Sequence, residues 1–167
     1  METMKTREST STIVSACRSN HGIINIISNT LLIKTHERTD LINLSEDIRT
    51  FVEASGIEHG YVQVSSLHTT ASLFVNEWQD ALLFDVKMTF DRLVPMMTYY
   101  KHNDPEYSDC DRKNADSHLR NIILGHSLSI PIAQGNLVLG RWQRVILAEF
   151  DGPNERKIFV QALGIQG

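Results

Sequence analysis

The sequence predicts an α+β protein, a single compact domain of largely antiparallel β-sheets with about three helices. Three observations carry this. The second half of the chain runs strand into strand with only turn signals between them, three amphipathic stretches have helical spacing, and 167 residues suffice for one core but not for two comfortable domains. Hydrophobic residues make up 41% and charged residues 22%, the composition of a folding globular chain.

Residues 1–22 are rich in Ser, Thr and charge and end in Asn20-His21-Gly22, which predicts a loosely ordered arm or an extra strand ahead of a domain over 23–167. Between Ile23 and Ile42 the β-branched residues predict two strands, the second at Leu31 to Thr35 or nearby. Ser45 is the expected N-cap of a helix carrying Glu46 and Asp47 in its first turn, with Ile48, Phe51, Val52 and Ser55 on one face and Gly56 ending it. Tyr61 to Ser66 and Ala71 to Val75 read as strands, which puts His68, Thr69 and Thr70 at their junction. Asn76 is the expected cap of a second helix with Gln79 in the reciprocal position. Leu82, Leu83, Val86, Phe90 and Leu93 form its apolar stripe, and Pro95 stops it.

Lys101 to Lys113 is a long polar stretch, followed by a third helix from Ala115 to Leu124 closed by Gly125. Asn114 and His118 lie four residues apart and would share one face of that helix. Ser127 to Ile132, Leu137 to Leu139, Gln143 to Phe150 and Lys157 to Leu163 are the remaining strands.

The formal net charge of −4 and the pI near 5.9 supply no basic field for nucleic acid, though local cations can still hold a small anion. No apolar run approaches a membrane span, and the N-terminus lacks the pattern of a signal or transit peptide. Only Cys17 and Cys110 are present, too few for a disulfide framework. A cytoplasmic protein is therefore expected. Cys110 lies between Asp109 and Asp111, whose charges disfavour a nucleophilic thiolate.

Three polar segments could build one composite site. His68-Thr69-Thr70 offers an imidazole, two hydroxyls and corner N–H groups to an anion, or simply a capped corner. Glu77 follows nine residues later, where a helix dipole would also explain it. His102, Asp104, Asp109, Asp111 and His118 are the densest set of proton carriers and metal candidates, although their spacing also suits a solvated acidic loop. Arg141-Trp142-Gln143-Arg144 could stack on a ring and hold its phosphate, or bury the indole in the core. If these four lie in a strand, its alternation keeps them off one face. No GxSxG, GxxxxGK[ST] or GxGxxG motif occurs, so the commonest hydrolase, P-loop and dinucleotide readings lose their support.

HTTASLFVNE from His68 to Glu77, YKHNDPEYSDCDRKNADSHLRNIILG from Tyr100 to Gly125, and LGRWQRVILAEFDGP from Leu139 to Pro153, in that order, closely resemble the YjbQ (UPF0047) family of secondary thiamine-phosphate synthases. The resemblance spans roughly residues 30 to 164. It implies a YjbQ-like α+β subunit assembling as a homotrimer, with the site near subunit boundaries. It also implies an enzyme that joins hydroxymethylpyrimidine diphosphate to thiazole phosphate and releases diphosphate. Carried onto this chain, the family's polar set is His68, Thr69, Thr70, Glu77, His102, Asn114, His118, Trp142, Gln143 and Glu149. The chain departs from the pattern at Arg141 and Arg144, where small residues are common, and at Asn154, where arginine is.

The expected roles are phosphate binding by His68, His118 and Arg141 or Arg144, ring stacking by Trp142, and proton transfer by His102 or Glu77. Thr69, Thr70, Asn114 and Gln143 complete the substrate contacts. The expected metal is magnesium, reached through Asp104 or Asp111, or zinc on His68, His102 and His118; no organic cofactor is expected. A metal-dependent phosphate-ester hydrolase and a non-catalytic metabolite-binding trimer are the competing readings.

Overall fold

The computed structural model describes residues 23–166; the arm expected over residues 1–22, with Cys17, lies outside them. Five strands form one sheet in the order β1-β8-β3-β5-β6, from β1 (Ile24–Lys34), β8 (Glu155–Gln166), β3 (Ile57–Ser66), β5 (Ser127–Ala133) and β6 (Asn136–Leu137). Three form a second sheet, β2-β7-β4, from β2 (Asp40–Asn43), β7 (Gln143–Glu149) and β4 (Ala71–Glu77). All pairings are antiparallel. The expected α+β class and antiparallel sheets are therefore present, with three α-helices: α1 (Ser45–Ser55), α2 (Asp80–Leu93) and α3 (Ala115–Leu124).

The two sheets share the main core. Val62 and Val64 of β3, Ile158, Val160 and Ala162 of β8, Leu73 of β4 and Val145 and Leu147 of β7 meet there, and α1 adds Ile48, Phe51 and Val52. A second cluster, Leu41, Ile146, Ala148 and Phe150 with Phe90 of α2, lies on the other face of the smaller sheet. β7 is sandwiched between the two clusters, and for this reason Val145 to Glu149 are buried on both faces.

Four local expectations are corrected. Two strands do lie in the stretch from Ile23 to Ile42, but the second is β2 and not Leu31 to Thr35, because β1 pairs with β8 without interruption from Ile24 to Lys34; Ser28, Asn29 and Thr30 are exposed on an edge strand and need not end it. Ser45 is the first helical residue, not the cap, and its hydroxyl accepts from the Val145 N–H at 3.0 Å, tying α1 to β7. Asn76 belongs to β4, and Gln79 caps α2 by accepting from the Leu82 N–H at 2.8 Å. Leu93 also leaves the expected stripe: it is exposed, and Val94 is buried in its place.

α3 reverses the usual polarity. Its buried residues are Ala115, Asp116, Ser117 and Arg120, while Leu119, Ile122 and Ile123 face outward. Arg120 donates to the Val94 carbonyl at 2.8 Å and to Asp91 at 2.9 Å, so its buried charge is fully engaged. No helix among the described residues is long and apolar enough to cross a membrane.

Gly60 of β3 lies opposite Gly164 of β8. A Cβ on Gly60 would collide with the Leu163 carbonyl oxygen and stand 2.7 Å from the Gly164 Cα. Gly60→Ala is expected to destabilise the fold by about 1–3 kcal/mol, the cost of overpacking a filled space, as measured by urea denaturation.

Candidate active site

The polar segments fold into two linked clusters and one separate end. The first is built on a buried ion pair: Arg156 of β8 forks onto Glu149 of β7, with 6% and 0% of their surfaces exposed. Arg156 also donates to the Thr70 hydroxyl at 3.1 Å, and Thr35 donates to Glu149 at 3.2 Å. The Asp151 N–H adds a further bond to Glu149 at 2.8 Å. Each added donor offsets part of the desolvation that isolated buried charges would suffer.

His68 closes this cluster at the β3–β4 corner. Its Nε2 accepts from the Lys157 N–H at 2.7 Å, so in the neutral ring the proton sits on Nδ1, 3.4 Å from an Arg156 nitrogen. Burial first, then the Arg156 charge, holds its pKa below the ordinary value of 6.5. The geometry makes His68 a neutral fastening between the corner and β8 rather than the phosphate-binding cation expected. Thr70 is buried in the same network, and Thr69 is exposed beside it.

The second cluster surrounds the start of α3. The Asn114 Nδ2 donates to Asp151 at 2.8 Å, linking it to Glu149 two residues away. His102, in a 3-10 turn over Lys101–Asn103, meets His118 edge to face, with ring centroids 5.1 Å apart and planes at 86°. The two imidazoles line a pocket of about 300 Å³ with Tyr100, Lys101, Ala115 and Leu119. Asn114 is the N-cap residue just ahead of α3, with its side chain on Asp151, and His118 lines the pocket, so the shared helix face expected from their spacing is not what joins them.

Glu77 and Gln143 lie opposite each other at the far end of the smaller sheet. Glu77 lies at the opposite end of β4 from Ala71, about 20 Å along the strand. Trp142 is 60% exposed there, with the Arg141 guanidinium 4.7 Å from its ring centroid. Arg141 and Trp142 precede β7, so strand alternation does not separate them; they stack on each other instead. Gln143 accepts from the Gly140 N–H at 2.7 Å, and Arg144 donates to the carbonyls of Arg141 and Gln143. One protomer therefore does not gather all three segments.

Among the described residues no three His, Cys, Asp or Glu side chains lie close enough together to hold a metal ion. The zinc set of His68, His102 and His118 is thus not assembled within one chain. Asp104 accepts from the Tyr99 hydroxyl and the Glu106 N–H, each at 3.0 Å, and Asp111 is exposed.

Arg38, Asp116, Arg120, Asp151 and Arg156 form buried or half-buried ion pairs that the sequence reading missed. Asp116 and Arg120 carried a usable signal, four residues apart on one helix. The others meet only through the fold.

Two outcomes test the first cluster. Arg156→Met leaves Glu149 buried without its main partner and is expected to cost about 3–5 kcal/mol in urea denaturation. Because the folded His68 has the lowered pKa, the unfolded chain binds the extra proton first. His68 therefore makes stability fall as pH drops below 6.5 toward its folded pKa, and it contributes no pH dependence well above 6.5. His68→Gln should flatten that limb in melts taken across the same range.

The UPF0047 protein YjbQ-like family profile matches residues 29–165. A UPF0047 protein of Archaeoglobus fulgidus is 38% identical over 133 residues, covering 80% of this chain and 98% of the relative. One from Methanothermobacter thermautotrophicus is 37% identical over 134 residues, covering 80% and 90%. A crystal structure of a YbjQ-like protein of unknown function from Sulfolobus solfataricus superposes with a TM-score of 0.79 at 30% identity, covering 84% of this chain and 99% of that one. A hypothetical protein from Aeropyrum pernix gives 0.76 at 32% identity, covering 83% and 98%. With the fold, the ordered motifs and the matched length in agreement, the chain belongs to the UPF0047, YjbQ-like family.

Proposed function

We propose that the protein is a transferase of the thiamine-phosphate-synthase type, joining hydroxymethylpyrimidine diphosphate to thiazole phosphate. The observation that carries this reading is the His102–His118 pair, two imidazoles facing one pocket with an aromatic and an aliphatic wall. The C–O bond to the diphosphate breaks and takes its electron pair to the leaving group. The thiazole nitrogen lone pair then forms the C–N bond, leaving a thiazolium. One protonated imidazole donates to the departing diphosphate and regains its proton from solvent. Tyr100 and Leu119 offer flat and aliphatic surfaces to the rings.

Magnesium would accompany a diphosphate mainly through the substrate's own oxygens and water, with one or two carboxylates at most. Among the described residues no three-ligand group is present, and a magnesium carried mainly by the substrate's oxygens needs none. The outward Leu119, Ile122 and Ile123 of α3, beside the pocket, support self-association, and the homotrimer is the assembly that the family resemblance implies. A neighbouring subunit could then bring its Glu77, Trp142 and Gln143 end toward the imidazole pair.

With both substrates supplied, His118→Ala is expected to lower kcat by about 100-fold or more while far-UV circular dichroism is unchanged. Wild-type activity in that variant would remove the site assignment, and substrate binding without turnover by the native protein would favour a metabolite-binding module. Sedimentation equilibrium should give three times the 18.9 kDa chain mass, and Ile122→Asp should lower it.

A further inference from the structure

On the other side of the 3-10 turn from the imidazole pair, Arg38, Arg112 and Lys113 border a second pocket, of about 480 Å³. None of its lining residues is acidic. The carboxylates that orient its guanidiniums are buried: Arg38 reaches Asp116 at 3.0 Å and Asp151 at 3.5 Å, and the Arg112 Nε reaches Asp151 at 2.8 Å. Asp151 is only 5% exposed and also accepts from Asn114, so its oxygens are taken up within the protein.

What the pocket presents is donors. The side chains of Arg38 and Arg112 are 36% and 56% exposed, and each fork has N–H groups beyond those given to carboxylates. The Arg112 Nη2 additionally donates to the Asp151 carbonyl at 3.1 Å, which fixes the plane of that fork. Asn103, which also lines the pocket, uses its Oδ1 to accept from the Ala115 N–H at 3.0 Å. Lys113 is exposed at a φ of 51°, a left-handed conformation uncommon for a residue with a Cβ, and it forms no ion pair among the described residues. Arg38, Arg112 and Arg120 share Asp91, Asp116 and Asp151, and Lys113 is the cation lining this pocket that stands outside those pairs. Met96 and Met97 supply adaptable apolar walls.

We propose that this pocket binds the phosphate or diphosphate group of a small metabolite. Two pre-oriented forks and a free ammonium suit a tetrahedral oxyanion, and the methionines suit a compact organic body attached to it. Asn103 lines this pocket and His102, its neighbour in the chain, lines the other, so an anion held here would sit beside the imidazole pair. The binding itself does not depend on the transferase reading.

Inorganic pyrophosphate titrated into the full chain by isothermal calorimetry tests the site. Binding is expected with a Kd below about 1 mM. Lys113→Asn removes the charge while keeping a residue type tolerant of that φ, and it should weaken binding about tenfold; Arg112→Gln should do likewise. His118→Ala should leave the affinity within about twofold, because its ring lines the other pocket. No binding up to about 10 mM, unchanged affinity in Lys113→Asn, or a tenfold loss in His118→Ala would each overturn the proposal. Should Arg112→Gln fail to fold, Lys113→Asn decides alone. Loss of the transferase reading would show as absent turnover with pyrophosphate binding intact.

Discussion

The pairing of Arg156 with Glu149 constrains the molecule more than any other polar interaction. Both charges are buried, one on β8 of the larger sheet and one on β7 of the smaller, so the pair bridges the two sheets at one end of their shared core. Hydrophobic contact can hold two sheets together at several offsets, whereas a guanidinium fork accepts a carboxylate in very few. Thr35, Thr70, His68 and the Asp151 N–H all converge on this pair. The corner before β4, the turn after β7 and the end of β1 are thereby fixed relative to one another.

The same constraint positions the region proposed for chemistry. Asp151 donates its N–H to Glu149, and its carboxylate receives Asn114, Arg112 and Arg38. Asn114 stands at the start of α3, so the helix carrying His118 is anchored through one residue to the inter-sheet ion pair. Ser117 donates to the Phe150 carbonyl at 2.6 Å and reinforces that attachment. α3 is held through its polar face, which explains how Leu119, Ile122 and Ile123 come to point outward while Leu124 packs on the second cluster.

Much of the fold was legible because its signals are local. α3 ends as its Gly125 predicted, α1 has the expected apolar face and Gly56 stop, and the strands of the second half fall close to their predicted places. Caps were less legible: Ser45 looks like a cap by type, but the Val145 N–H, 100 residues away, claims its hydroxyl. The site divides in the same way. Helical spacing grouped Asn114 with His118, but Asn114 is the N-cap residue and turns to Asp151, while His102 could be named but not placed. Arg156, embedded in an alternating strand pattern, has no local mark that distinguishes it from a solvated arginine.

His68 shows why residue type alone overstates chemistry. A histidine between two threonines at a strand corner has the composition of an anion site, yet one backbone N–H occupies its Nε2 and a neighbouring guanidinium disfavours its protonation. A cation-binding or proton-donating role would require it to surrender the bond that joins the corner to β8. His102 and His118 face the opposite situation: each has an aromatic neighbour and an open pocket, with no hydrogen bond that fixes a tautomer among the described contacts. Proton transfer needs a ring free of scaffold hydrogen bonds, and that physical requirement is why the chemistry proposed above is placed on the pair on α3 and its preceding turn and not on the histidine at the corner.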